Sequence, residues 1–122
     1  MSGTCTETIV LDDWDNLLLL GNNGAGIFAP ADAGGNIGII AIMNSKAIAI
    51  RGLKLHSTGP LGPSPIFVSE SSVNVFQCTL ENGGIPAGGG MFVQGHSNVQ
   101  VHASVVQNNN PNGIRVDGPA LV

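Results

Sequence analysis

The residues able to do chemistry are few and scattered. Eight Asp and Glu, four Lys and Arg, three His and two Cys are spread over 122 residues. Asp12, Asp13 and Asp15 form the one acidic cluster, and clustered carboxylate oxygens are what a hard cation such as calcium requires. A solvated bend that blunts an exposed strand edge explains the same three acids better, so they are weak candidates for a metal. Hydrolysis of a glycosidic bond needs two carboxylates facing each other across it. Glu70 and Asp117 are the nearest approach to such a pair, and nothing in their contexts brings them to one site. The runs Gly83-Gly84 and Gly88-Gly89-Gly90 precede strands rather than helix N-termini, so they lack the setting of a phosphate cradle. No catalytic residue and no cofactor is expected.

Composition narrows the partners. Only 12 of the 122 residues are charged and the net charge is −4, which excludes the polybasic surface of a nucleic-acid-binding or anionic-membrane-binding protein. The longest apolar runs, Leu17 to Leu20 and Ile37 to Met43, fall far short of the ~20 residues of a membrane-spanning helix. No secretory signal is visible at the start, and an extracellular or cell-surface location is expected only if the chain belongs to a longer protein. Cys5 sits in a polar leader and Cys78 in an alternating apolar stretch; they are expected to stay unpaired, about two layers apart in the architecture read below.

The elements that must position these residues come from an internal repeat. One pass reads Ile66-Phe67-Val68, a polar bend, Val73-Asn74-Val75, a two-residue corner, then Cys78-Thr79-Leu80. The pass before it has Ile40-Ala41-Ile42, Ile48-Ala49-Ile50 and Leu53-Lys54-Leu55; the pass after it has Met91-Phe92-Val93, Val99-Gln100-Val101 and Ser104-Val105-Val106. The offsets between passes are 25 or 26 at every position. A looser copy begins at Ile9-Val10-Leu11, and a partial one ends the chain with Ile114-Arg115-Val116. Each pass holds three short strands of period two, joined by bends too tight for crossover helices. Such strands satisfy their backbone groups only by pairing with the same strand of the next pass, as in a parallel solenoid. Eighteen Gly and twelve Asn fall mainly in the connecting loops, where positive φ is tolerated.

The phrasing of Asn16-Leu17-Leu18-Leu19-Leu20-Gly21, Ile48-Ala49-Ile50-Arg51-Gly52 and Ser71-Ser72-Val73-Asn74-Val75 resembles that of right-handed parallel β-helix proteins, the pectin-lyase-like superfamily. The resulting expectation is an all-β, right-handed parallel β-helix of about four and a half coils with three short strands per coil. Residues 1–6 are a leader and 7–122 one β-helix domain. The resemblance also implies a range of activities, among them polysaccharide lyases, hydrolases and epimerases, phage tailspikes and non-catalytic surface proteins, and fold alone does not choose between them. A lyase of this kind would use calcium and an Arg or Lys base. Asp12, Asp13 and Asp15 stand about four layers, or ~19 Å, from Arg115, the one basic residue on the sheet where the family's enzymes hold substrate.

Alternation assigns the faces: in apolar-x-apolar strands the middle residue points out. The outward column of the first sheet is Val10, Ala41, Phe67, Phe92 and Arg115, an apolar stripe with two aromatic rings expected to stack about 4.8 Å apart. It is the candidate interface or ligand platform. His56, His96 and His102 fall on different edges of the coil, so no three-histidine zinc site is expected. Asn82, Asn108 and Ser57 follow the third strand at equivalent positions, and a short polar ladder is expected there. Two functions follow: a small non-catalytic module that self-associates as a dimer or trimer, or a carbohydrate-binding or polysaccharide-processing fragment of a larger β-helix protein. A receptor-binding piece of a phage tail or adhesin is a third.

Overall fold

The structure, a computed structural model, describes residues 2–6, 8–28, 38–57, 64–81, 83, 89–109 and 112–122. These form fourteen strands and no helix. Three parallel sheets wrap one core. The first contains β2 (Ile9–Asp12), β5 (Gly38–Met43), β8 (Ser64–Ser69), β11 (Gly89–Gln94) and β14 (Asn112–Val116) in stacking order. The second contains β3 (Asp15–Leu20), β6 (Lys46–Arg51), β9 (Ser72–Phe76) and β12 (Asn98–His102), and a bridge from Asn98 to Leu121 extends it. The third contains β1 (Ser2–Thr6), β4 (Asn22–Phe28), β7 (Lys54–His56), β10 (Thr79–Glu81) and β13 (Val105–Gln107). The chain therefore runs through four complete coils of a three-sheeted β-solenoid, as the repeat predicts.

The inward columns are aliphatic. Ile40, Ile66 and Met91 stack in register, as do Ile42, Val68 and Val93, and all six are fully buried. Burying an Ile, Leu or Val side chain contributes about 1.5–3 kcal/mol, and nearly every inward position of the middle coils is one of these or Met. This column packing, rather than any local propensity, holds strands only three to seven residues long.

Corners are made by left-handed backbone. At the turn from first to second sheet, Asp13, Asn44, Glu70, Gly95 and Gly118 all have positive φ, one per coil. Gly52, Gln77 and Ala103 do the same at the turn from second to third sheet. Non-glycine residues there cost roughly 1 kcal/mol each, which the fully paired strands on either side offset.

The small irregularities of the repeat have physical causes. The offset drops from 26 to 25 between coils two and three because β6 begins with an extra residue: Ala47 bulges with φ 54° and donates its N–H to Ser72 Oγ at 3.0 Å. It returns to 26 in the next coil because Gly95-His96 spans the corner that Glu70 turns alone.

At that corner one serine per coil is buried. Ser45 N–H donates to Ser71 Oγ at 3.0 Å, Ser71 N–H to Ser97 Oγ at 3.1 Å, and Trp14 N–H to Ser45 Oγ at 3.1 Å. Each hydroxyl in turn donates to a carbonyl of its own coil, Met43, Ser69 or Gln94. The polar ladder thus stands at Ser45, Ser71 and Ser97, one sheet away from the expected position. Asn108 is an exposed corner residue with φ 55°, Ser57 Oγ has no hydrogen-bond partner among the described residues, and Asn82 lies outside the described residues. Asn109 is the asparagine that bonds there, accepting from Gly83 N–H at 2.7 Å and donating to Leu80 O at 3.1 Å.

The stretch expected as a leader contributes a strand, β1, paired with β4. Register then separates the cysteines: Cys5 pairs with Ile27, Ile27 with Leu55, and Leu55 with Leu80, two residues past Cys78. Three strand spacings are about 14 Å, well beyond disulfide reach, and Cys78 is a buried free thiol.

Candidate functional site

The expected column of the first sheet is in register from Val10 through Ala41, Phe67 and Phe92 to Arg115. It is not an open stripe. Phe67 is 4% exposed and Ala41 9%, while Val10 at the far end is 62% exposed. The two rings meet edge to face, with centroids 5.5 Å apart and planes at 83°, the arrangement that the ring quadrupoles favour over parallel stacking. Arg115 places its guanidinium 4.7 Å from the Phe92 centroid and pairs with Asp117 at 2.9 Å. The platform is therefore covered at its centre and closed by an ion pair at one end.

The acids remain apart. Asp12, Asp13 and Asp15 are exposed; Asp12 accepts from the Asn44 amide at 3.2 Å and Asp13 turns a corner. Among the described residues no three His, Cys, Asp or Glu side chains gather into a metal-binding group. Glu70 turns the first corner of coil three, while Asp117 follows β14 two coils further on. His96 and His102 are exposed on different edges, and the His102 ring lies 6.2 Å from Phe76.

Third-sheet register creates a polar cluster that motif reasoning missed. Phe28, His56, Glu81 and Gln107 are successive in one column. Glu81 is 7% exposed although its position points outward. Its Oε1 lies 2.9 Å from His56 Nδ1 and 3.1 Å from Lys54 Nζ, and its Oε2 accepts from Gln107 Nε2 at 2.9 Å. The Phe28 ring stacks on His56 with centroids 4.9 Å apart. The hydrogen bonds from His56 and Gln107, with the Lys54 bond and charge, hold the Glu81 carboxyl down at about 2 against the opposing effect of burial. The signal was present in the repeat, since Glu81 and Gln107 follow their outward neighbours Thr79 and Val105 by two positions, as His56 follows Lys54.

One open apolar patch is on the second sheet; apolar side chains are also exposed at Val10, Val105, Ile114 and Val116. Leu18 is 56% exposed, Leu20 40% and Phe76 37%. With Ala49, Ile50, Arg51 and Asn74 they line a shallow depression of about 330 Å³. Arg51 lies 5.1 Å from the Phe76 centroid and, among the described residues, makes no ion pair. Two smaller depressions continue across the same face, one of 120 Å³ beside Ala47, Ser72, Asn74 and Gln100, the other of 260 Å³ beside Lys46, Glu70 and His96. The face passes from leucine on coil one to amides on coils three and four, and this surface can take up a flat partner through apolar contact and amide hydrogen bonds.

No family model matches the chain, and no curated protein or solved structure is significantly similar to it.

Proposed function

We propose that the protein is a non-catalytic β-solenoid module that associates with itself through the outer face of its second sheet. The observation that carries this is the contrast between two sheets: Phe67 is covered on the first, whereas Leu18, Leu20 and Phe76 are open on the second. Clustered exposed leucine and phenylalanine on one sheet face is the usual mark of a contact surface. The non-catalytic part of the reading is supported by how the acids are used. Glu81 is taken up by three donors and Asp117 by Arg115. Sedimentation of the intact chain over a wide concentration range tests the reading. A dimer that becomes a folded monomer on replacing Leu18 and Phe76 by Asp supports it, and an assembly indifferent to those changes refutes it.

A second reading is favoured by one feature of the same face. Phe76 stands beside Asn74 and Gln100 on the neighbouring column, an aromatic ring with amides that suits a sugar ring. It accords with the resemblance to the pectin-lyase-like superfamily, in which this chain would be a carbohydrate-binding piece of a larger β-helix protein. Binding on a glycan array that is lost with Phe76→Ala supports this alternative; absence of binding, with no unsaturated products from pectin or alginate, removes it.

A further inference from the structure

We infer that the two ends of the solenoid fit each other, so that copies of the chain stack end to end and each continues the three sheets of the one below. This contact is separate from the outer face of the second sheet. Every sheet supplies five levels: β2, β5, β8, β11 and β14 in the first, β3, β6, β9, β12 and the bridging Leu121 in the second, and β1, β4, β7, β10 and β13 in the third. The levels are staggered. β1 pairs with β4 and so lies one coil before β2 and β3, whereas β14 and Leu121 lie one coil beyond β13. The strand that projects at one end therefore fills the step at the other. With a second copy above, its β1 meets β13, its β2 meets β14 and its β3 meets Leu121, with no level duplicated or left out.

Register carries through the junction. Extending each inward column by one strand sets Ile9 of the upper copy over Ile114, Leu11 over Val116 and Leu17 over Val122. All six are aliphatic. Within one copy the last layer is open: Ile114 is 38% exposed, Val116 43% and Val122 52%, whereas Met91, Val93 and Val99, one coil below them, are at most 1% exposed. Ile9 and Leu17, in the first coil, are half-buried. β2 and β14 each pair with a strand on one side only, as do β1 and β13, and an unpaired edge is a template for another parallel strand. A separate extended peptide would extend one sheet and leave the aliphatic layer uncovered. A second copy extends all three at matching register and covers that layer with a layer of the same kind.

The contact joins unlike ends, so it does not close and the stack grows as a filament, advancing five coils or about 24 Å per copy. Charge opposes it. Asp12 of the upper copy comes to the level of Asp117, one strand spacing away, and like charges directly opposite on paired strands are destabilising. Arg115, 2.9 Å from Asp117, is the one cation on the meeting strands β2 and β14. Each chain also carries a net charge of −4. At low ionic strength this repulsion keeps the ends apart, and sedimentation there reads the second-sheet contact alone. At about 1 M salt the screening length falls to ~3 Å, shorter than the strand spacing, and stacking proceeds.

The test uses the full chain in a Cys5→Ser background with a short bis-maleimide in about 1 M sodium chloride. Val10 and Arg115 share an outward column four strands apart, about 19 Å within one copy, and become neighbours only across the junction. Val10→Cys with Arg115→Cys in one molecule should therefore give a ladder of dimers, trimers and longer chains. Either substitution alone should give no cross-link, and a mixture of the two single variants should give dimers only. Asp12→Asn should shift the onset of the ladder to lower salt, and Phe76→Asp should leave it unchanged. Sedimentation of the wild type at the same salt should show species that lengthen with concentration beyond a dimer. Cross-linking of either single variant to itself, a ladder that Phe76→Asp abolishes, or a wild type that stops at a dimer overturns the stack and leaves the second-sheet contact standing. A chain that is monomeric at low salt and forms the ladder at high salt supports the stack and removes the second-sheet contact instead.

Discussion

Glu81 and His56 are held 2.9 Å apart on adjacent coils of the third sheet, at positions the register pairs directly. Gln107 reaches the other carboxylate oxygen from the coil above. The three side chains tie coils two, three and four together outside the core. A buried carboxylate alone would be costly; with both oxygens bonded it is a link between coils.

The link makes stability pH-dependent in a stated window. The folded carboxyl is held at about 2, below its ordinary 4.5, so its contribution is full above about pH 4.5 and is lost as pH falls toward 2. Urea denaturation of the wild type should show midpoints dropping across that interval. Glu81→Gln should be less stable by about 1–3 kcal/mol at neutral pH and should converge on the wild type near pH 2. Curves that stay parallel down to pH 2 would show that the link is not formed.

Two phenylalanines at outward positions should behave oppositely. Phe67→Asp puts an unpaired carboxylate where a 4% exposed ring stood, and should cost about 3–5 kcal/mol. Phe76→Asp, at a 37% exposed site, should leave the thermal midpoint within a few degrees while weakening association. Equal destabilisation by both would contradict the burial contrast between the sheets.

Ser71 links two neighbouring coils, accepting from Ser45 N–H and donating to Ser69 O. Ser71→Ala leaves a buried amide unsatisfied and should cost about 1–3 kcal/mol. Hydrogen exchange at Ser45 N–H reads the effect locally. Protection unchanged in the variant would mean that the ladder does not carry that amide.

The corners offer a gain as well as a loss. Ala103 sits at φ 49° and Gly52 at φ 71° in equivalent turns. Ala103→Gly removes a left-handed penalty and should raise stability by about 0.5–1 kcal/mol. Gly52→Ala adds that penalty and sets a Cβ 2.8 Å from Gly21 O, so it should be clearly destabilising. Chemical denaturation of the pair with the wild type decides, and the same sign for both would refute the corner geometry.

Much of this architecture was legible in one dimension. A repeat of 25 or 26 residues with apolar-x-apolar triplets dictates which residues enter the core, because a strand has period two and a solenoid has no other way to satisfy short strands. It also dictates register: Ile40, Ile66 and Met91 align in the sequence and stack in the structure. What alternation does not carry is whether an outward face is covered. Phe67 and Phe76 both point away from the core, and only packing beyond their own strands leaves one buried and the other open. Nor does a repeat written in apolar letters display the serine ladder or the Glu81 cluster. Their partners are 25 or 26 residues apart, and separations of that kind become hydrogen-bond distances only when the coil closes and sets strands one spacing apart. The sequence by itself determined the coil, the core and the register; tertiary structure decided which outer surface is open, because exposure depends on what lies across a face and not on the strand that bears it.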